Sequence, residues 1–230
     1  MKSIAYVRER FSKDDFPVFC ISDVKSALKG QGISEGYVRL MLHNLKERGE
    51  IKTITKGIYS FHDDIAIVGF AFQPFYYGLE CALSIRGISE QGTNIVVMTP
   101  RNVRAGMRNF GGRNYRVQRL DKRMMFGFDL MKYGNFWVPV SDLEKTIIDM
   151  LYFRDYISEE LWKELIARIN LNKLKLYLTN YNIEFGKEVL LLVSKQTKNH
   201  IRYLRVHSVR GKYPSVHPIP NSPTTALHIK

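Results

Sequence analysis

The chain has 230 residues, 45% hydrophobic and 25% charged, a globular balance that excludes a disordered or collagen-like protein and supplies enough apolar material for one or two cores. Lysine and arginine number 35 against 22 acids, a formal net charge of +13, and an excess of that size concentrates polyanions, which puts nucleic acid first among partners. The charged start MKSIAYVRERFSKDDF is unlike a secretory signal, and the longest apolar stretch, Ile65 to Leu79, is broken by Gln73 and Pro74, so a cytoplasmic protein without a membrane contact is expected.

Residues 1–62 read as three helices followed by a hairpin. Ile4, Val7, Arg8 and Phe11 recur at helical spacing, and Pro17 stops any continuation. Ser22 is placed as the N-cap of a short second helix, Asp23 to Leu28, with Gly30 and Gly32 at its exit. Ser34 caps a third helix that runs through Arg48, in which Val38, Met41, Leu42 and Leu45 fall at i, i+3, i+4 and i+7 as one inward stripe. The period then changes. Ile51 to Ile54 and Ile58 to Phe61 read as strands joined by Thr55-Lys56-Gly57, the glycine supplying positive φ. Helix, helix, helix and basic-tipped hairpin in this order resemble a winged helix-turn-helix, and the run Asn44 to Ile51 looks like its usual link from recognition helix to wing.

Residues 63–213 read as a mixed α/β unit with a small sheet. Ile65 to Phe72 is a buried strand or buried helix, and periodicity does not separate the two. Phe75, Tyr76 and Tyr77 are expected in the core, followed by a helix from Leu79 to Ile85 and a strand from Thr93 to Thr99. Arg113 to Leu120 alternates, with Tyr115 and Val117 on one face and Arg116 and Gln118 on the other; Met125 to Met131 and Asn135 to Val140 offer two more strands. Ser141-Asp142-Leu143-Glu144 reads as a capping box that starts a helix to Phe153, Ser158 starts another, and leucines at 171, 174, 176 and 178 and the segment Glu188 to Val193 suggest more. Residues 214–230, with Pro214, Pro218, Pro220 and Pro223, form an extended tail. Overall the fold class is α/β, of the α+β kind.

The charge is shared: segments 1–62, 63–153 and 154–230 carry +4, +2 and +7. Within the second, Arg101, Arg104, Arg108, Arg113, Arg116, Arg119, Lys122 and Arg123 are opposed only by Asp121, and after Glu188 no acid occurs. If the stripe of the third helix packs inward, Ser34, Glu35, Tyr37, Arg39, Leu40, His43 and Lys46 occupy or flank the outer arc, shaped to enter a major groove. Arg39 suits a guanine edge, Tyr37 and His43 suit bases or phosphates, and Lys52 and Lys56 on the wing suit phosphates. Arg101, Arg104 and Arg108, spaced by three and four, would share one side of a helix or turn, with Arg113 and Arg116 extending the positive surface. The strip has a second reading, as a dock for an acidic protein or an RNA.

Tyr77 to Gln91, the strand Ile95 to Thr99, the basic stretch Arg101 to Arg123 and Val140 to Asp149 resemble the layout of AbiEi-type antitoxins of type IV toxin-antitoxin systems. With the winged segment, the resemblance covers roughly residues 20–155. It implies a first domain that binds repeats in double-stranded DNA of its own promoter. It also implies a second that counteracts a nucleotidyltransferase toxin encoded beside it, by direct contact or indirectly, as one copy or two.

Cys20 and Cys81 lack the paired spacing of a zinc or redox motif and are expected as free thiols. Phosphate-loop, dinucleotide and H-E-x-x-H motifs are absent, and Gly111-Gly112 lacks the remaining glycine pattern. Asp142, Glu144 and Lys145 superficially resemble a metal-dependent nuclease cluster, but they fall inside a capped helix turn. The expectation is therefore a repressor and antitoxin, not an enzyme, with no cofactor or metal; the alternative is a winged-helix transcription factor with a ligand-sensing second domain.

Overall fold

The computed structural model describes residues 2–89 and 94–194; the Pro-rich tail, the basic residues beyond 194 and Glu90-Gln91 of the resemblance lie outside the described residues. The chain opens with α1 (Lys2–Phe11), β1 (Phe19–Cys20), α2 (Ile21–Ala27), α3 (Glu35–Glu47), β2 (Lys52–Thr55) and β3 (Ile58–Ser60). Val7 and Phe11 of α1 meet Val24, Leu28 and the α3 stripe of Val38, Met41, Leu42 and Leu45 in one buried cluster. Each such side chain withdrawn from water contributes about 1.5–3 kcal/mol, which fixes how α3 is rotated and thus which arc it leaves outside. Ser34 caps α3 as expected, its hydroxyl accepting the Tyr37 N–H at 3.2 Å.

The start of α2 differs from expectation. Cys20, not Ser22, is the N-cap, and its N–H donates to Asp23 Oδ2 at 2.7 Å. The cause is tertiary: β1 pairs antiparallel with β3, Phe19 opposite Tyr59 and Cys20 opposite Ile58, and the chain passes from that ladder straight into the helix. The resulting small sheet has the order β1-β3-β2. Gly57, at φ +80°, closes the β2–β3 hairpin in a region that glycine enters without a Cβ penalty.

Ile65–Phe72 is neither strand nor α-helix but a 3-10 helix, capped by Asp64 Oδ1 on the Ala66 N–H at 2.9 Å. It is followed by β4 (Tyr76–Tyr77), α4 (Glu80–Ile85), β5 (Ile95–Thr99), β6 (Gly106–Phe110), β7 (Arg113–Arg119), β8 (Phe128–Tyr133) and β9 (Phe136–Ser141), then α5 (Leu143–Tyr152), α6 (Glu159–Arg168), α7 (Leu171–Leu178) and α8 (Ile183–Ser194). The six strands make a mixed sheet of order β6-β7-β5-β4-β9-β8, with β5–β7 and β4–β9 parallel. The α/β class expected from the sequence is the observed one.

Strand alternation distributes the layers. The Tyr77 hydroxyl donates to the Ala66 carbonyl at 2.7 Å and accepts from the Gly69 N–H at 2.9 Å, seating the 3-10 segment on one face. Its neighbour Tyr76 points to the other face and donates to Asp149 of α5 at 2.7 Å. Gly69 is required by this packing, because a Cβ there would lie 2.0 Å from the Phe75 ring.

The capping box expected at Ser141 does not form, and the cap itself lies one residue further on. Asp142 is the N-cap of α5, Oδ1 accepting the Lys145 N–H at 2.8 Å, while Ser141 ends β9 and its hydroxyl pairs with that of Thr146 at 2.7 Å. Glu144 is thereby released to accept the Asn170 N–H at 2.7 Å, at the start of α7. Asp142 Oδ2 accepts the Tyr177 hydroxyl at 2.7 Å and meets Lys173 Nζ at 3.0 Å, so the first turn of α5 holds α7 in place.

Candidate nucleic-acid interface

The outward arc of α3 is open to solvent. Ser34, Glu35, Tyr37, Arg39, Leu40, His43 and Lys46 are all exposed, Leu40 at 55% and Tyr37 at 42%, so packing of the second unit does not cover it. Two of these residues are already engaged with each other. Glu35 Oε1 accepts Arg39 Nη2 at 2.7 Å, and Glu35 Oε2 accepts Lys25 Nζ, from α2, at 2.6 Å. The hydrogen bonds from Lys25 and then Arg39 hold the Glu35 carboxyl at about 2, well below the usual carboxylate range. Ser34 serves the cap.

The wing is anchored to the second unit along β2. The Tyr115 hydroxyl donates to the Ile54 carbonyl at 3.0 Å and Arg108 Nη1 donates to Thr55 Oγ1 at 3.3 Å, while Arg113 Nη2 donates to the carbonyl of Asp63, just beyond the hairpin, at 3.2 Å. Lys52 Nζ sits 2.7 Å from Asp63 Oδ1, partly neutralised, whereas Lys56 at the wing tip is exposed. Ile54 packs within the larger cluster with the sheet, not within the cluster of the helices.

The basic strip does not form a helix. Arg101 and Arg104 lie in the loop before β6, and Arg108 lies within that strand. Spacing of three and four imitates a helical face, but Gly111 and Gly112, at φ +58° and +81°, form the tight turn that folds β6 back on β7. That glycine pair, flanked by two arginine-bearing segments, is the signal from which the hairpin could have been read, although in the sequence reading it counts only against a dinucleotide site. Arg101 Nη1 donates to the Ala71 carbonyl at 3.2 Å, and Arg108 reaches the Arg104 carbonyl at 2.9 Å while its guanidinium stacks 5.1 Å from the Phe72 ring centroid.

The hairpin register sorts the arginines. Arg108 is opposite Tyr115 and Phe110 is opposite Arg113, so Arg108 and Arg113 share the face that meets the wing. Arg116 is opposite Met107 on the other face, where Nη2 binds Asp155 Oδ2 at 2.7 Å and Nε is buried without a hydrogen-bond partner among the described residues. Arg116 therefore stands apart from the other named cations. Lys52 and Arg113 meet at Asp63, and Arg108 joins the Arg104 carbonyl to Thr55, beside the exposed Lys56; Tyr115 and Asp63, which brace this junction, were not among the binding residues expected from the sequence.

The acids and lysine that resemble a nuclease cluster are committed elsewhere: Asp142 to the cap, Tyr177 and Lys173, Glu144 to Asn170, and Lys145, fully buried, to Asp149. Among the described residues no group of three or more His, Cys, Asp or Glu side chains is placed to hold a metal ion. No described helix is long and apolar enough to cross a membrane.

No family model matches the chain, and no curated protein matches it. Among solved structures, it is similar to the crystal structure of the RV2827C protein from Mycobacterium tuberculosis. The TM-score is 0.57, over 93% of this chain and 84% of that one, at 12% sequence identity. At that identity the likeness is one of fold.

Proposed function

We propose that the chain is a DNA-binding transcriptional repressor that reads duplex DNA upstream of its own reading frame with α3 and grips the backbone with the wing and the arginines beside it. The observation that carries this reading is the composite basic seam: Lys52 of the wing and Arg113 of β7 meet at Asp63, and Arg108 of β6 holds the Arg104 carbonyl while reaching Thr55, the neighbour of the exposed Lys56. An exposed helix with Tyr37, Arg39, His43 and Lys46 outward offers side chains for base edges, and a cluster of cations offers phosphate contacts that set register. Arg101, in the loop before β6, adds to the positive field.

The antitoxin role, with a nucleotidyltransferase toxin as functional partner, rests on the resemblance to AbiEi-type antitoxins. A neighbouring gene whose toxicity the chain relieves on co-expression supports it; no relief rejects it.

Footprinting of the full chain on its upstream region tests DNA recognition. A discrete protected site is expected, with affinity falling steeply as salt rises because phosphate neutralisation releases counterions. Arg39→Ala should weaken the protected site more than a scrambled duplex. Equal losses on both reject base reading by Arg39, and absence of any protected site rejects the repressor.

A further inference from the structure

The leading end of α3 carries a negative charge where a duplex would meet it. Glu35 is the first residue of the helix, and its carboxylate is doubly occupied, by the Arg39 guanidinium on one oxygen and the Lys25 ammonium on the other. The Lys25 pair crosses from α2 to α3, so it joins the two helices of the helix-turn-helix. All three side chains remain substantially exposed, at 45%, 46% and 63% for Glu35, Lys25 and Arg39. The cluster is thus accessible to a ligand, and its cations are neutralised by an internal anion until that ligand arrives.

We infer that Glu35 is a specificity-determining residue that suppresses nonspecific DNA binding by holding Lys25 and Arg39; the inference rests on the DNA-binding reading above. A phosphate backbone approaching α3 at random must compete with a carboxylate for both cations and accept that carboxylate as a neighbour. Each cation so held adds no counterion release, the term that supplies essentially all nonspecific affinity. A matching sequence compensates the loss. A guanine edge takes the Arg39 fork through O6 and N7, and an amino group on a neighbouring cytosine donates to the vacated Glu35 oxygen. The carboxylate therefore costs the wrong site more than the right one, which is how a repulsive element produces selectivity.

Fluorescence anisotropy of the full chain on two duplexes tests this: one carrying the stretch immediately upstream of its reading frame, one of scrambled sequence, each titrated across a salt series. In Glu35→Gln the scrambled duplex should bind several-fold more tightly. Its log–log salt slope should steepen by about 0.9 for each released cation, roughly 1.8 for both. The affinity ratio between the duplexes should fall. Lys25→Gln should leave the scrambled slope unchanged in the native background and remove about 0.9 of it in the Glu35→Gln background. If the wild-type chain distinguishes the duplexes and Glu35→Gln matches it in slope and ratio, the filter is overturned while DNA recognition stands. If Lys25→Gln lowers the slope equally in both backgrounds, Lys25 is not held and the filter is likewise overturned. A wild-type chain that binds neither duplex overturns both readings.

Discussion

The Lys145 ammonium and the Asp149 carboxylate, one turn apart on α5, form an ion pair with neither side chain exposed to solvent. Tyr76 of β4 donates to the other Asp149 oxygen at 2.7 Å, the Tyr181 hydroxyl lies 3.3 Å from Lys145 Nζ, and the ammonium sits over the Tyr76 and Phe126 rings. Burial pushes the lysine down and the aspartic acid up, each opposed by the charge of the other. The pair joins α5 to the sheet and to the segment between α7 and α8. Removing one partner leaves a buried charge uncompensated, so Asp149→Asn or Lys145→Met should each cost about 3–5 kcal/mol. The double replacement Lys145→Met with Asp149→Asn, whose amide oxygen can still accept from Tyr76, should recover most of it. Denaturant unfolding of the four chains decides the matter; a double variant as unstable as either single one would show that packing, not charge, is at stake.

Tyr115→Phe removes the donor to the Ile54 carbonyl and leaves that buried acceptor unsatisfied. A loss of about 1–3 kcal/mol is expected in urea unfolding. Because the wing loses one of its ties to the sheet, keeping the Arg108–Thr55 bond and the packing of Ile54, affinity for any duplex should fall while discrimination between duplexes changes little. Unaltered affinity would mean that the Arg108–Thr55 bond and the Ile54 packing hold the wing without the phenol.

Cys81 is sealed: its Sγ donates to the Gly78 carbonyl at 3.1 Å and accepts the Val96 N–H at 3.2 Å, and burial pushes the thiol up to about 12. Its folded value lies above the unfolded one, so its contribution to stability is complete below about pH 9 and fades as pH rises through about 12. In a Cys20→Ser background, a thiol reagent at pH 8 should label the native chain only as fast as it unfolds, and at once in denaturant. Immediate labelling of native protein would contradict the packing.

The register of β6 and β7 separates arginines that share a stretch of sequence. Lys56→Gln and Arg104→Gln should each reduce the salt slope of duplex binding by about 0.9. Arg116→Gln should leave the slope unaltered and lower stability instead, by releasing Asp155. A slope that falls with Arg116→Gln would place the contact surface on the opposite face of the sheet.

Where periodicity and local chemistry act alone, sequence and structure agree. Val38, Met41, Leu42 and Leu45 had only to be spaced as they are for α3 to bury one side, Ser34 had only to precede them, and Tyr115 and Val117 alternate with Arg116 as a strand demands. The misplacements share one origin, a neighbour distant in the chain. Cys20 replaces Ser22 as a cap because β3 captures Phe19–Cys20, and Asp142 replaces Ser141 because Ser141 still belongs to β9. Arg101, Arg104 and Arg108 imitate a helix because their spacing is helical, and only the turn at Gly111-Gly112 and the partner strand disclose otherwise. The engagement of Glu35 by Lys25 depends on how α2 crosses α3, which no local pattern encodes.

Ile54 belongs by position to the wing and by packing to the body. A head cut off after residue 62 would carry a bare isoleucine with no socket, and a body begun at residue 63 would keep the hollow it left. The two halves are thus not interchangeable cassettes: any graft of this head onto another scaffold must bring a cavity of matching shape, with a phenol above it to meet the carbonyl.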